Sequence, residues 1–143
     1  LIGSVNLMKM EKRACHFIDN VPRISDVELV TAHINKLVKM LENHFVIDTY
    51  YSHILGKYAI EIVNTKPNLV KGRNSDLIAA SAVFAADRLI AEYFTLRVFA
   101  EFTNVGAGNL SSFAEIFKRS APPVPKESAA IHFIENLFRG IFW

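Results

Sequence analysis

A single cysteine, Cys15, stands in the whole chain, so no internal disulfide can form and no zinc site built on several thiolates is available. The lone thiol fits a reducing compartment. An excess of one charge is missing too: 16 Lys and Arg face 14 acids, a net charge of +2. A dedicated nucleic-acid binder carries a stronger basic footprint, so any contact with nucleic acid has to come from local patches. No apolar run is long enough to span a bilayer. The longest, residues 77–86, is interrupted by Ser81 and ends at Asp87 and Arg88, well short of the roughly 20 residues needed. Residues 8–13, with Lys9, Glu11, Lys12 and Arg13 among them, replace any long apolar leader, and no signal peptide is expected. The chain opens on Leu1 rather than Met, as a fragment of a longer protein would.

Catalytic patterns are equally scarce. There is no phosphate-binding glycine loop, no nucleophile elbow and no metal-binding helix pair. His16, His33, His44, His53 and His132 never fall three or four residues apart, and adjacent Cys15 and His16 point away from each other on a helix. The histidines read as satisfied or surface groups. Asp48, Glu61, Asp76 and Asp87 read as caps and surface charges. The expectation is a protein that is not an enzyme, with no cofactor and no metal.

What is present is hydrophobic and helical. The chain has 143 residues, about one domain's worth, of which 51% are hydrophobic and eleven are Phe. No strand-like alternation lasts more than a few residues. Asn6 to Asp19 reads as a first helix and stops at Asn20-Val21-Pro22. Ser25-Asp26-Val27-Glu28 is a capping box, and Val27, Val30, Ile34, Leu37, Val38 and Leu41 then recur on one helical face. Asp48 caps the next helix, whose stripe is Tyr51, Ile54, Leu55, Tyr58 and Ile62. Gly56 inside it costs about 1 kcal/mol relative to Ala, which a close helix crossing would explain.

Residues 75–91 are apolar around nearly the whole circumference, so this helix should be surrounded by others. Two shorter helices follow. Thr95 caps the first, 95–103, with Leu96, Val98, Phe99 and Phe102 buried. Asn109 caps the second, 109–119, with Leu110, Phe113, Ile116 and Phe117 buried, after a turn at Val105-Gly106-Ala107-Gly108. Ala121-Pro122-Pro123-Val124-Pro125 is a stiff linker. A last helix, 126–142, carries Ile131, Ile134, Leu137, Phe138 and Ile141.

Charge is uneven along the chain. Lys57, Lys66, Lys71 and Arg73 face Glu61 alone, whereas from Asn74 to Phe117 the acids prevail, Arg88 and Arg97 against Asp76, Asp87, Glu92, Glu101 and Glu115. The basic loop precedes the N-terminus of the all-apolar helix, where amides and dipole favour an anion.

The run Lys71-Gly72-Arg73-Asn74-Ser75-Asp76, continuing through Leu77 to Arg88, resembles the signature of transcription factor IIB cyclin-like repeats: a basic loop, an Asp near the helix start, then a helix of small and aromatic residues ending in Arg. The similarity continues through Thr95-Leu96-Arg97-Val98-Phe99 to Phe117-Lys118-Arg119, and more loosely upstream from Val46-Ile47-Asp48. It covers about residues 25–120 and is specific over 71–119. The resemblance implies an all-α, five-helix cyclin-like domain over 25–120. Around it lie an N-terminal helical extension (1–24), a proline linker (121–125) and a helix (126–143) that begins a second repeat. It further implies a nuclear or archaeal scaffold that binds the TATA-binding protein and flanking promoter DNA and bridges them to RNA polymerase, without catalysis. Where family members carry basic residues in the turn and start of the fifth helix, this sequence has Gly106-Ala107-Gly108-Asn109-Leu110-Ser111-Ser112. Lys71, Arg73, Arg97, Lys118 and Arg119 are then the residues left to meet phosphates or a partner. The five-helix pattern alone would also allow a cyclin-fold interaction module such as a kinase partner. A kinase-activating cyclin would carry an M-R-A-I-L-type surface helix and a Lys/Glu pair, and the helix after Ser25 has neither.

Overall fold

The computed structural model describes residues 25–126, and every regular element among them is a helix. In chain order these are α1 (Asp26–Phe45), α2 (Thr49–Thr65), α3 (Pro67–Val70), α4 (Ser75–Ile90), α5 (Leu96–Thr103) and α6 (Ala107–Ser120). The helices expected over 6–19 and 126–142 lie outside the described residues, apart from Lys126 in a turn.

Local chemistry starts most of these helices. The Ser25 hydroxyl accepts the Glu28 amide at 3.1 Å, and the Glu28 carboxylate accepts the Ser25 amide in return. Asp48 accepts the Tyr50 amide at 2.9 Å, and Thr95 accepts that of Val98 at 3.2 Å. Each cap satisfies an amide that the first helical turn leaves without an intrahelical partner. The one-turn α3, begun by Pro67, has too little periodicity for the sequence to reveal it.

α4 is the hub. It packs against α1, α2, α5 and α6, and every residue from Ile78 to Asp87 is buried. Its alanines let the neighbours approach closely. Buried Ser81 returns its hydroxyl to the Leu77 carbonyl at 2.7 Å and needs no outside partner. α1 and α2 present to it the stripes that the spacing predicts, with Val30, Ile34, Val38 and Leu41 on one and Tyr51, Ile54, Leu55, Tyr58 and Ile62 on the other. Gly56 sits against Val38 of α1, where an added Cβ would come to 3.5 Å of the valine methyl, an ordinary contact. The crossing is close without demanding glycine.

Four expectations need correction. α6 begins at Ala107, with Gly106 rather than Asn109 in the cap position and no side-chain cap. The Leu110 amide already bonds the Gly106 carbonyl at 2.9 Å, so the Gly-Ala-Gly stretch enters the helix instead of forming a turn. Val98 and Ile116 are exposed, because Phe99 and Phe117, one position further on, occupy the hub-facing stripe. Leu96, Phe102 and Phe113 are only half-buried. Asp87 is not a surface charge, having no exposure at all.

The phenylalanines close one end of the bundle. Phe84 of α4 meets Phe99 of α5 at 5.3 Å between ring centres, Phe99 meets Phe94 at 5.6 Å, and Phe94 meets Phe45 at 5.1 Å. Phe45 in turn meets Phe102 at 5.2 Å. Tilted and edge-on rings at these separations add to the area that they bury. Directly after Phe45, Val46 ends α1 with φ 54 and lies 88% exposed. A β-branched residue in the left-handed region is strained, and Gly would not be.

Phe84→Ala should therefore destabilise the domain by about 3–5 kcal/mol in a denaturant titration, with exposed Lys39→Ala within about 0.5 kcal/mol of the parent. Val46→Gly should stabilise it by about 1 kcal/mol in the same assay. A loss there would mean that the valine methyls pack more than their exposure indicates.

Candidate partner-binding site

The basic loop lies between α3 and α4. Buried Val70 anchors its start. Gly72, at φ 73, turns the chain in the left-handed region with open space around it. Asn74 then caps α4, its side-chain oxygen accepting the amides of Asp76 at 2.9 Å and Leu77 at 3.3 Å. That cap changes the electrostatic expectation. Two of the amides that would have drawn an anion are taken, and the Asp76 carboxylate stands in the first turn. The N-terminus of α4 is answered from within the chain and is no ready-made phosphate cradle.

The five cations do not converge. Lys71 is exposed at the loop tip. Arg73 is exposed too but is tethered: Nη1 donates to the Leu69 carbonyl at 3.1 Å, and its guanidinium lies 5.6 Å from the centre of the Phe113 ring of α6. Loop position therefore does not make Arg73 dispensable. It closes the carbonyl end of α3 and clamps the loop to α6, a cation–π contact worth about 0.5–1 kcal/mol near the surface. Lys118 and Arg119 share Glu115 on their own helix, at 3.8 and 3.9 Å. They project about 140° and 120° round α6 on either side of Phe113 and so away from Arg73. Arg97 pairs with Glu101 at 3.4 Å on α5. Such exposed pairs are weak enough for a phosphate or an acidic partner to displace.

Beside the loop a surface pocket of about 450 Å³ opens between α1, α4 and the end of α5, with Leu37, Met40 and Phe102 as its apolar lining and His33 and Lys36 at its edge. His33 Nδ1 lies 3.0 Å from the Asp76 carboxylate. Nothing local in the sequence signals that pair, whose members are far apart along the chain. Among the described residues no three His, Cys, Asp or Glu side chains are grouped as a metal would require, and no helix is long and apolar enough to cross a membrane.

The most unusual side chain is Asp87, near the end of the hub. Its Oδ1 accepts the Tyr51 hydroxyl at 2.5 Å and the Tyr93 amide at 3.1 Å, and its Oδ2 accepts the Phe94 amide at 3.0 Å. One carboxylate thus joins α4 to α2 and to the α4–α5 turn, where Glu92 also adopts a positive φ. Burial pushes the Asp87 carboxyl above its ordinary value; the bonds from Tyr51, Phe94 and Tyr93 and the nearby Arg88 pull the other way without cancelling it. The signal that reveals it is periodicity: Asp87 falls four residues after Val83 and three before Ile90, on the buried stripe.

The fold and this site define an all-α domain built round a buried helix, with dispersed surface cations and no grouped chemistry among the described residues. No family model, curated protein or solved structure matches the chain.

Asp87→Asn should destabilise the domain by about 1–3 kcal/mol, because the amide NH2 would face at least one buried N–H and leave it unsatisfied. The raised carboxyl holds its proton more tightly in the fold than in the unfolded chain. Its contribution therefore favours folding below the ordinary aspartate value, is lost as pH rises through the interval up to the folded value, and is level above it. Unfolding free energies of the parent and Asp87→Asn from about pH 3 to about pH 8 should differ by an amount that changes in that interval. A difference independent of pH would contradict the raised value.

Proposed function

We propose that this chain is a promoter-assembly module of the transcription factor IIB kind: a non-catalytic scaffold, nuclear or archaeal, that meets the TATA-binding protein and flanking DNA and bridges them to RNA polymerase. The observation that supports the reading is that the most family-like stretch, residues 71–119, runs from an exposed basic loop into the buried hub and the helices that follow it. A basic loop leads directly into the buried hub, α5 and α6 pack back upon it, and Arg73 ties the loop to α6 through Phe113. Lys71 is the cation best presented to a phosphate or an acidic surface, with Arg97, Lys118 and Arg119 as weaker, separately placed contributors.

Dispersion of the cations sets the strength of DNA binding. Each phosphate neutralised contributes about −0.9 to the log–log salt slope, so a chain that engages about two shows a slope no steeper than about −2. Binding to bare DNA is then non-specific, at roughly 10⁻⁴ to 10⁻⁶ M. The neutral entry to α6 adds no charge to hold a phosphate. A stable contact needs the TATA-binding protein as a second surface.

A gel shift across a salt series, with and without the TATA-binding protein, tests this. Lys71→Glu should weaken the ternary complex while leaving the melting temperature unchanged. Adding Arg73→Glu should abolish the complex and also lower the melting temperature, because the Phe113 clamp goes with it. Tight, sequence-selective binding by the chain alone would overturn the reading, as would a ternary complex indifferent to the double reversal.

A further inference from the structure

After α6 the chain does not leave the domain. Every residue from 121 to 125 either is a proline or precedes one, which holds the backbone extended. Ala121 has φ −63 and ψ 141, the polyproline II conformation. This strap runs back along α2. The Ser120 and Thr65 hydroxyls meet at 3.2 Å, the Tyr58 hydroxyl donates to the Pro122 carbonyl at 2.6 Å, and Pro125 shares a surface pocket with Tyr50, His53 and Ile54. The lengths agree: five polyproline residues advance about 15 Å, and the eleven helical residues from Thr65 back to Ile54 about 16 Å.

The same segment carries a recognition pattern. Arg119, Pro122 and Pro125 are spaced by three, and a polyproline II helix has three residues per turn, so all three fall on one edge when the segment is extended. Domains that read such an edge use an aromatic-lined groove for the prolines, and an acidic pocket is the complement of the arginine. Here α2 holds that edge itself: Pro122 and Pro125 are half-buried against it, whereas Pro123 and Val124 face outward. The Tyr58 hydroxyl pins the strap there through the Pro122 carbonyl. Arg119 sits in the last turn of α6, whose closing bond, Ala121 N–H to the Lys118 carbonyl, is long at 3.4 Å. Its partner Glu115 is 3.9 Å away. Ser120 in that turn also donates to the Ile116 and Phe117 carbonyls at 3.5 and 3.4 Å, so presenting Arg119 on the extended edge requires this last turn to unwind.

We propose that residues 119–125 are a ligand for a domain of the SH3 type, an aromatic groove with an acidic pocket, and that docking on Tyr58 keeps the ligand closed. The closed strap lowers the apparent affinity by the fraction of time that it is open. The proposal stands apart from the promoter reading and uses none of its cations except Arg119.

The test is calorimetric titration of the full chain with an isolated SH3 domain that selects Arg-x-x-Pro-x-x-Pro ligands. Tyr58→Phe keeps the ring, removes the pin and should bind about tenfold tighter than the parent, a change of 1.4 kcal/mol. In that background Pro122→Ala with Pro125→Ala, and separately Arg119→Glu, should abolish binding while circular dichroism shows the helices retained. Binding by Tyr58→Phe no tighter than the parent's would overturn the proposal, as would no binding by either, or binding that survives loss of the two prolines.

Discussion

Burying one carboxylate at the end of an otherwise apolar hub is the constraint on which the arrangement of α4, α5 and α6 depends. Asp87 cannot be left without donors in a region from which water is excluded. The donors come from outside its own helix: the Tyr51 hydroxyl on α2 and two successive amides, Tyr93 and Phe94, in the turn beyond. Satisfying both oxygens fixes where that turn lies. The turn fixes Phe94, and Phe94 sets the ring contacts to Phe45 and Phe99 that close the end of the bundle. Arg88, the next residue, takes no part in a direct ion pair with Asp87 and lies instead over the Phe84 ring at 5.1 Å. The carboxylate is thus held by dipoles rather than by a countercharge, which is why burial still dominates its titration.

A second constraint is that the cations are tied to separate local partners, firmly for Arg73 and displaceably for the rest. Arg73 is occupied by Leu69 and Phe113, and Arg97, Lys118 and Arg119 each have an acid on their own helix. Within the basic loop both cations are exposed, and Lys71 is the one without such a tie. On the promoter-assembly reading, this division explains why the module depends on a protein partner for affinity. A field spread over several faces raises the local concentration of an anion without holding it in one register.

Much of the fold was legible because it is written locally. The Ser25–Glu28 box and the Asp48 and Thr95 caps each have a partner within one turn, and the stripes of α1 and α2 are read from the spacing along a single helix. The all-round apolarity of residues 77–86 likewise announced a helix with neighbours on every side. Pairings across long separations were not legible. Tyr51 with Asp87, His33 with Asp76, Arg73 with Phe113 and Tyr58 with Pro122 exist only once the helices are packed. The start of α6 failed for a different reason. Gly106-Ala107-Gly108 has the composition of a turn, and only the position of Leu110 against the hub decides that the helix begins there. For the site, the sequence supplied the cations but not their directions. Direction is what separates a patch from five isolated charges.

The linker shows how far composition can carry and where it stops. Three prolines in five residues dictate an extended, stiff backbone, and rigidity alone would suit a spacer between two independent units. A spacer needs no hydrogen bond to the domain that it leaves. This one accepts a hydrogen bond from Tyr58, a side chain with no exposure in the core of α2, whose hydroxyl would otherwise lack a protein partner among the described residues. Burial raises the phenol above its ordinary value, and it is a neutral donor at physiological pH with or without that shift. The carbonyl of a residue followed by proline is a natural acceptor for it, since the next residue has no N–H to draw that part of the backbone into a helix. The tyrosine and the proline cluster therefore satisfy each other, and the strap belongs to the surface of the domain rather than to the space beyond it.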